Sequence, residues 1–232
     1  MGPDIDRLIE KFKNLSLEES LNTLGTSGFN KMVFSTSLGQ EDQLLTHVIF
    51  TNDFPIHIIT LDTGRLFEET HLLLEKTMSK YQKSIEVLYP DSRILENFVN
   101  KTGVNSFYHS VDNRKRCCRI RKTDVLKRTL EGKDLWITGL RTQQSMARHD
   151  LKLFQWDSQF QITKFNPLVD WSLDKITNYL KEYQIPQNQL HDRGYISIGC
   201  APCTRAVKPG EDIRSGRWWW ENGKKECGIH LN

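Results

Sequence analysis

Met32-Val33-Phe34-Ser35-Thr36-Ser37-Leu38-Gly39-Gln40-Glu41-Asp42 is the stretch on which the fold turns. It opens as a short apolar run of strand type, and from about Glu41 the pattern becomes helical. The same change recurs downstream: Ile56 to Leu61 precedes a helix from about Phe67, and Ile85 to Tyr89 precedes one from about Ile94. A helix over Thr123 to Leu130 then leads into a fourth strand, Leu135 to Leu140. Units of strand then helix join by right-handed crossovers and build a parallel sheet. The expected fold class is therefore α/β, a Rossmann-like parallel sheet flanked by helices.

Outward from this frame, Ile5 to Leu15 reads as an amphipathic helix, and Ser16-Leu17-Glu18-Glu19 has the spacing of a capping box opening a second. Leu151 to Phe165 alternates as a hairpin or edge strands do, and Leu173 to Tyr183 is a helix that ends before Pro186. Beyond Gln187 the chain becomes an irregular, cysteine-rich tail. The division expected is N-terminal helices over 1–30 and a single domain over 31–232, whose segment from about 206 is a mobile catalytic tail.

A chain of 232 residues with 38% hydrophobic content suits one such domain, with or without a small appendage. The first residues mix charges with single apolar side chains, unlike a signal peptide, and no apolar run is long enough to cross a bilayer. A soluble, cytoplasmic protein is expected. A formal charge of +3 is too small to argue for nucleic acid.

The five cysteines crowd into Cys117-Cys118, Cys200-Ala201-Pro202-Cys203 and Cys227. A secreted disulfide framework would spread them more evenly, so the clustering points to metal ligation plus one spare thiol. Four thiolates from two distant loops can hold tetrahedral Zn²⁺ or a [4Fe-4S] cluster. Adjacent cysteines suit the cube better, because each can reach a different iron. Cys227 lies among Lys224, Lys225 and His230, and neighbouring positive charge raises the thiolate fraction of a nucleophile. An inert terminal cysteine fits the same spacing.

Strand ends supply the second half of the site. Ser37 and Gly39 lie where a nucleotide meets an open parallel sheet, and Leu61-Asp62-Thr63-Gly64-Arg65 closes the next strand in the same way. Ordinary strand-to-helix turns capped by Ser and Asp look alike by spacing. The lysine of a Walker A loop is missing. For an anionic ligand the candidate cations are Lys122, Arg141, Arg148, Arg214 and Arg217. A lone basic residue is more often a solvated surface group.

Together these residues resemble the phosphoadenylyl sulfate and adenylyl sulfate reductase family, from about Lys31 to His230. The resemblance rests on Cys117-Cys118-x-x-Arg121-Lys122, on His191-Asp192-Arg193-Gly194-Tyr195, on Gly199-Cys200-x-Pro202-Cys203-Thr204-Arg205, on Gly216-Arg217-Trp218-Trp219-Trp220-Glu221 and on Glu226-Cys227-Gly228-Ile229-His230. Ser37 to Asp42 and Leu61 to Arg65 look like its nucleotide-contacting loops. The resemblance implies an adenine nucleotide α-hydrolase-like fold, with Cys227 as nucleophile and a [4Fe-4S] cluster on Cys117, Cys118, Cys200 and Cys203. It further implies adenylyl sulfate as substrate, thioredoxin or glutaredoxin as a separate reductant, and a homo-oligomer. Ser37, Gly39, Leu61, Gly64, Arg65, Lys122, Arg148, Arg214, Arg217 and His230 are the substrate-binding residues it implies. The 3′-phosphorylated nucleotide, alone or as a second substrate, is the alternative substrate, and a zinc-binding nucleic-acid module is the reading from another class.

Overall fold

A computed structural model describes residues 4–145, 148–221 and 228–229. Two short helices, α1 (Ile5–Phe12) and α2 (Leu17–Leu24), precede the sheet. The capping box of α2 is present, with the Ser16 hydroxyl accepting from the Glu19 amide and the Glu19 carboxylate accepting from the Ser16 amide. Alternation then runs β1 (Met32–Thr36), α3 (Gln40–Thr51), β2 (His57–Leu61), α4 (Glu68–Tyr81), β3 (Glu86–Leu88) and α5 (Ser92–Thr102). It continues through α6 (Val111–Cys118), α7 (Asp124–Leu130), β4 (Leu135–Ile137), the hairpin β5 (Phe154–Asp157) and β6 (Ile162–Phe165), and α8 (Leu173–Glu182).

The six strands lie in the order β3-β2-β1-β4-β6-β5, all parallel except β5, which runs antiparallel to β6 at one edge. Chain order therefore reverses between β1 and β4. In open sheets of this kind, ligands enter the crevice beyond the carboxyl ends of the strands at that reversal. The buried faces of β1, β4 and β6 supply Phe34, Leu135, Ile137 and Phe165 to one core cluster. Phe12 of α1 joins it edge-on to Phe154 at 5.0 Å, so the N-terminal helices share the main core.

One expectation fails here. Cys117-Cys118 does not sit on a loop but ends α6, and the chain continues through a five-residue π-helical stretch, Arg119–Thr123, into α7. Ser110 caps α6 by accepting from the Asn113 amide. The polar composition of residues 111–118 gives no hydrophobic period to announce this helix, so the cap and its packing decide it.

Candidate active site

The turn after β1 is built around Asp42. Its carboxylate accepts from both the amide and the hydroxyl of Ser37 at 2.6 Å, so it ties the turn backward instead of capping the helix. Gly39 is the N-cap of α3 and makes no side-chain cap bond. Leu38 holds a left-handed φ of 60°, a conformation rare for a leucine, with its amide donating to Thr36 Oγ1. Burial pushes the Asp42 carboxyl up to about 6, opposed by the Ser37 hydrogen bonds. Across the reversal point, Gly139 follows β4, and a methyl group there would lie 2.1 Å from Asp42 Oδ1. Only glycine lets the two strand ends close on this carboxylate.

After β2, Asp62 accepts from the Gly64 amide at 2.7 Å and meets His71 Nε2 at 2.8 Å. This loop joins the strand ends to the cysteines. Thr63 Oγ1 lies 3.2 Å from Cys200 Sγ, and the Ala201 amide donates to the Arg65 carbonyl at 2.8 Å. Arg121 donates to the Thr63 carbonyl. The Arg65 guanidinium does not face the strand ends; it lines the cysteine cleft, held by the Val104 carbonyl and Asn105 and lying over Phe107 at 5.4 Å.

Cys117, Cys118, Cys200 and Cys203 line one cleft with Arg65, Phe107, Arg114, Arg121, Lys122 and Pro202. None of the four is in a disulfide. Burial pushes the Cys203 thiol up to about 12 and raises Cys117, the latter opposed by Arg121. A metal bound by such thiols would take the proton's place. Among the described residues, no three His, Cys, Asp or Glu side chains form a group able to hold one metal ion. The thiols instead surround a cleft walled by guanidinium groups, a donor set that suits a polynuclear cluster with four corner ligands.

The candidate cations do not share one location. Lys122 and Arg217 are on the cysteine side. Arg217 is buried, its guanidinium 4.9 Å from the Trp218 ring, and Gly199 leaves it room, since a methyl group there would approach it to 2.3 Å. Arg148 lies on the crevice side, where its charge acts on Asp42 and its guanidinium donates to Gln144. Arg214 is half-buried in the turn that leads to Trp218, where its amide donates to Asp212. Arg141 is not available to a ligand: it is buried, paired with Glu41 at 2.8 Å and donating to the Trp171 carbonyl at 3.1 Å. Ser37 and Gly64 are exposed, while Gly39 and Leu61 are half-buried. Cys227 and His230 lie outside the described residues.

Sequence reasoning passed over Asp42, Arg121 and Thr63 as site residues. Arg121 was legible as a cation four residues after Cys117, but its reach to Thr63 needed the fold. Asp42 looked like a helix cap, and only the Ser37 contacts reassign it.

The phosphoadenosine phosphosulfate reductase domain family matches residues 31–206. A protein of Allochromatium vinosum named adenosine 5′-phosphosulfate reductase is 48% identical over 202 residues, covering 87% of this chain and 79% of its own. Phosphoadenylyl-sulfate (PAPS) reductase from Candida auris superposes with a TM-score of 0.73 at 26% identity, covering 88% of this chain and 96% of that one. NH3-dependent NAD synthetase from Campylobacter jejuni, at 12% identity and a TM-score of 0.52 over 84% of this chain and 80% of its own, shares the fold alone. The match over most of the chain and the 48% identity over 79% of the Allochromatium vinosum relative settle kinship: this chain belongs to the phosphoadenosine phosphosulfate reductase domain family.

Proposed function

We propose that this protein reduces adenosine 5′-phosphosulfate to sulfite and AMP in sulfate assimilation, with Cys227 as the sulfur-accepting nucleophile and a thioredoxin or glutaredoxin as electron donor. One observation carries the reading: four cysteine thiols and a set of cations share one cleft, joined through Thr63 and Arg65 to the end of β2. The relatives named adenosine 5′-phosphosulfate reductase support the choice of nucleotide.

In this reading the adenosine lies beyond the ends of β1 and β2, near Ser37, Gly39 and Leu61 to Arg65. The sulfate is directed to Lys122, Arg148, Arg214, Arg217 and His230. The Cys227 thiolate attacks sulfur, the bond from sulfur to the phosphate oxygen breaks, and AMP leaves with that electron pair. Arg and Lys donors offset the charge gathering on the leaving phosphate. The enzyme then carries an S-sulfonated Cys227. A donor thiolate attacks the Cys227 sulfur and sulfite departs. The donor's second thiol resolves the mixed disulfide, so the dithiol supplies both electrons.

Cys117, Cys118, Cys200 and Cys203 would hold a [4Fe-4S] cluster. Its contribution when bound is a fixed charge beside Lys122 that helps set the field at the sulfate. Arg114, Arg121 and Arg217 stand around the thiols and offset their negative charge.

Mixing the protein with adenosine 5′-phosphosulfate, without reductant, is expected to add the mass of one SO₃ group to the peptide containing Cys227. Normal turnover by Cys227→Ser would overturn the assignment. Rates with the 3′-phosphorylated nucleotide decide whether it is a second substrate.

A further inference from the structure

Gly228 and Ile229, which follow Cys227 in sequence, rest against the sheet's hairpin. The turn joining β5 to β6 covers residues 158–161, and its Gln159 Nε2 donates to the carbonyl of Gly228 at 3.1 Å. Ile229 packs onto the apolar cluster of Val33, Ile59, Leu126, Leu130, Trp136 and Ile162, which Phe160 of the same turn also joins. Phe160 meets Trp136 edge-on at 5.3 Å. On its other side Gly228 faces Thr123: a methyl group placed on it would lie 3.8 Å from Thr123 Oγ1, one residue after Lys122.

The turn is itself rigidly made. Asp157 Oδ1 accepts from the amides of Gln159 and Phe160 at 3.1 and 3.0 Å. Its other oxygen is paired at 2.5 Å with Lys164, and both side chains are 1% exposed. The Lys164 ammonium lies 4.6 Å from the centre of the Trp136 ring, so one buried ion pair holds both the turn and the wall of the socket. A buried pair of this kind makes a single geometry favourable.

We propose that Gln159 and Phe160 are positioning residues for the nucleophile: they hold Gly228 and Ile229, the two residues that directly follow Cys227 in the chain. This rests on the reading of Cys227 as nucleophile. A placement error near 1 Å costs a displacement reaction about a hundredfold, so the anchor matters even though neither residue touches substrate.

The test uses Gln159→Glu, which removes the donor at constant shape, and Phe160→Ala, with Phe160→Leu as the conservative control. Two readouts are taken on the iron-loaded protein: the single-turnover rate of Cys227 sulfonation at saturating nucleotide, and the rate at which iodoacetamide alkylates Cys227 without nucleotide. Gln159→Glu and Phe160→Ala are expected to slow sulfonation about tenfold or more, leave AMP affinity within about twofold and change the alkylation rate, with Phe160→Leu recovering most of the loss. Unchanged sulfonation and alkylation in both variants would overturn the proposal. If the unaltered protein itself gains no SO₃, the nucleophile reading fails, and the alkylation rates still decide whether the turn holds the tail.

Discussion

Arg114 and Glu221 form a buried, two-pronged ion pair, with Nε to Oε1 at 3.0 Å and Nη2 to Oε2 at 2.8 Å. They are 6% and 10% exposed, and the Arg114 guanidinium lies 4.7 Å from the Trp218 ring. The pair fastens α6, which ends in Cys117-Cys118, to the last described residue before the Cys227 segment. The cysteine wall and the root of the tail are therefore one mechanical unit.

Removing one member strands a buried charge. Arg114→Met is expected to lower stability by about 3–5 kcal/mol, whereas Arg114→Met combined with Glu221→Leu recovers most of it. Urea unfolding of the two single variants and the double variant measures the coupling.

Asp42 makes stability depend on pH. Its folded pKa of about 6 lies above the ordinary 3.8, so the folded state holds a proton that the unfolded state releases between these values. Stability contributed by the protonated form is full below about 3.8 and is lost as pH rises through about 6. Asp42→Asn keeps an acceptor for Ser37 and removes the titration. Its stability relative to the unaltered protein is expected to improve between pH 4 and 7, read from unfolding midpoints along that series. A constant difference across the range would refute this.

Gly139→Ala drives a methyl group into the Asp42 carboxylate at the reversal of strand order. The expected cost is about 1–3 kcal/mol, with weakened AMP binding because the Ser37 turn shifts with Asp42. Thermal unfolding and calorimetric titration with AMP check the two effects separately.

Cysteine replacement tests the ligand set. Cys200→Ser and Cys203→Ser are expected to lose bound iron, acid-labile sulfide and the brown colour of thiolate-to-iron charge transfer, while retaining the far-ultraviolet signature of the α/β fold. Full iron content in either variant would remove that cysteine from the set.

Much of the architecture was readable before any coordinates. The strand runs at Met32, Ile56, Ile85 and Leu135 and the hairpin near Leu151 to Phe165 all occur, because the periods that distinguish strand from helix are written in neighbouring residues. The capping box at Ser16 is equally local. Helix α6 escaped notice because residues 111–118 are polar and charged without an apolar stripe.

Residue chemistry alone pointed to metal ligation by the two cysteine pairs, left Cys227 between a nucleophile and an inert thiol, and named the pool of cations. Which cation faces which partner was a tertiary decision. Arg141 is taken by Glu41, Arg65 turns to the cysteine cleft, and Arg121 reaches Thr63 across 58 residues of chain. The point of reversal between β1 and β4, and the closeness of Gly139 to Asp42, likewise follow from strand order. Local sequence sets backbone periods within a few residues. Long side chains find their partners only after the sheet has brought distant loops to one edge, where burial makes an unpaired charge too costly to keep.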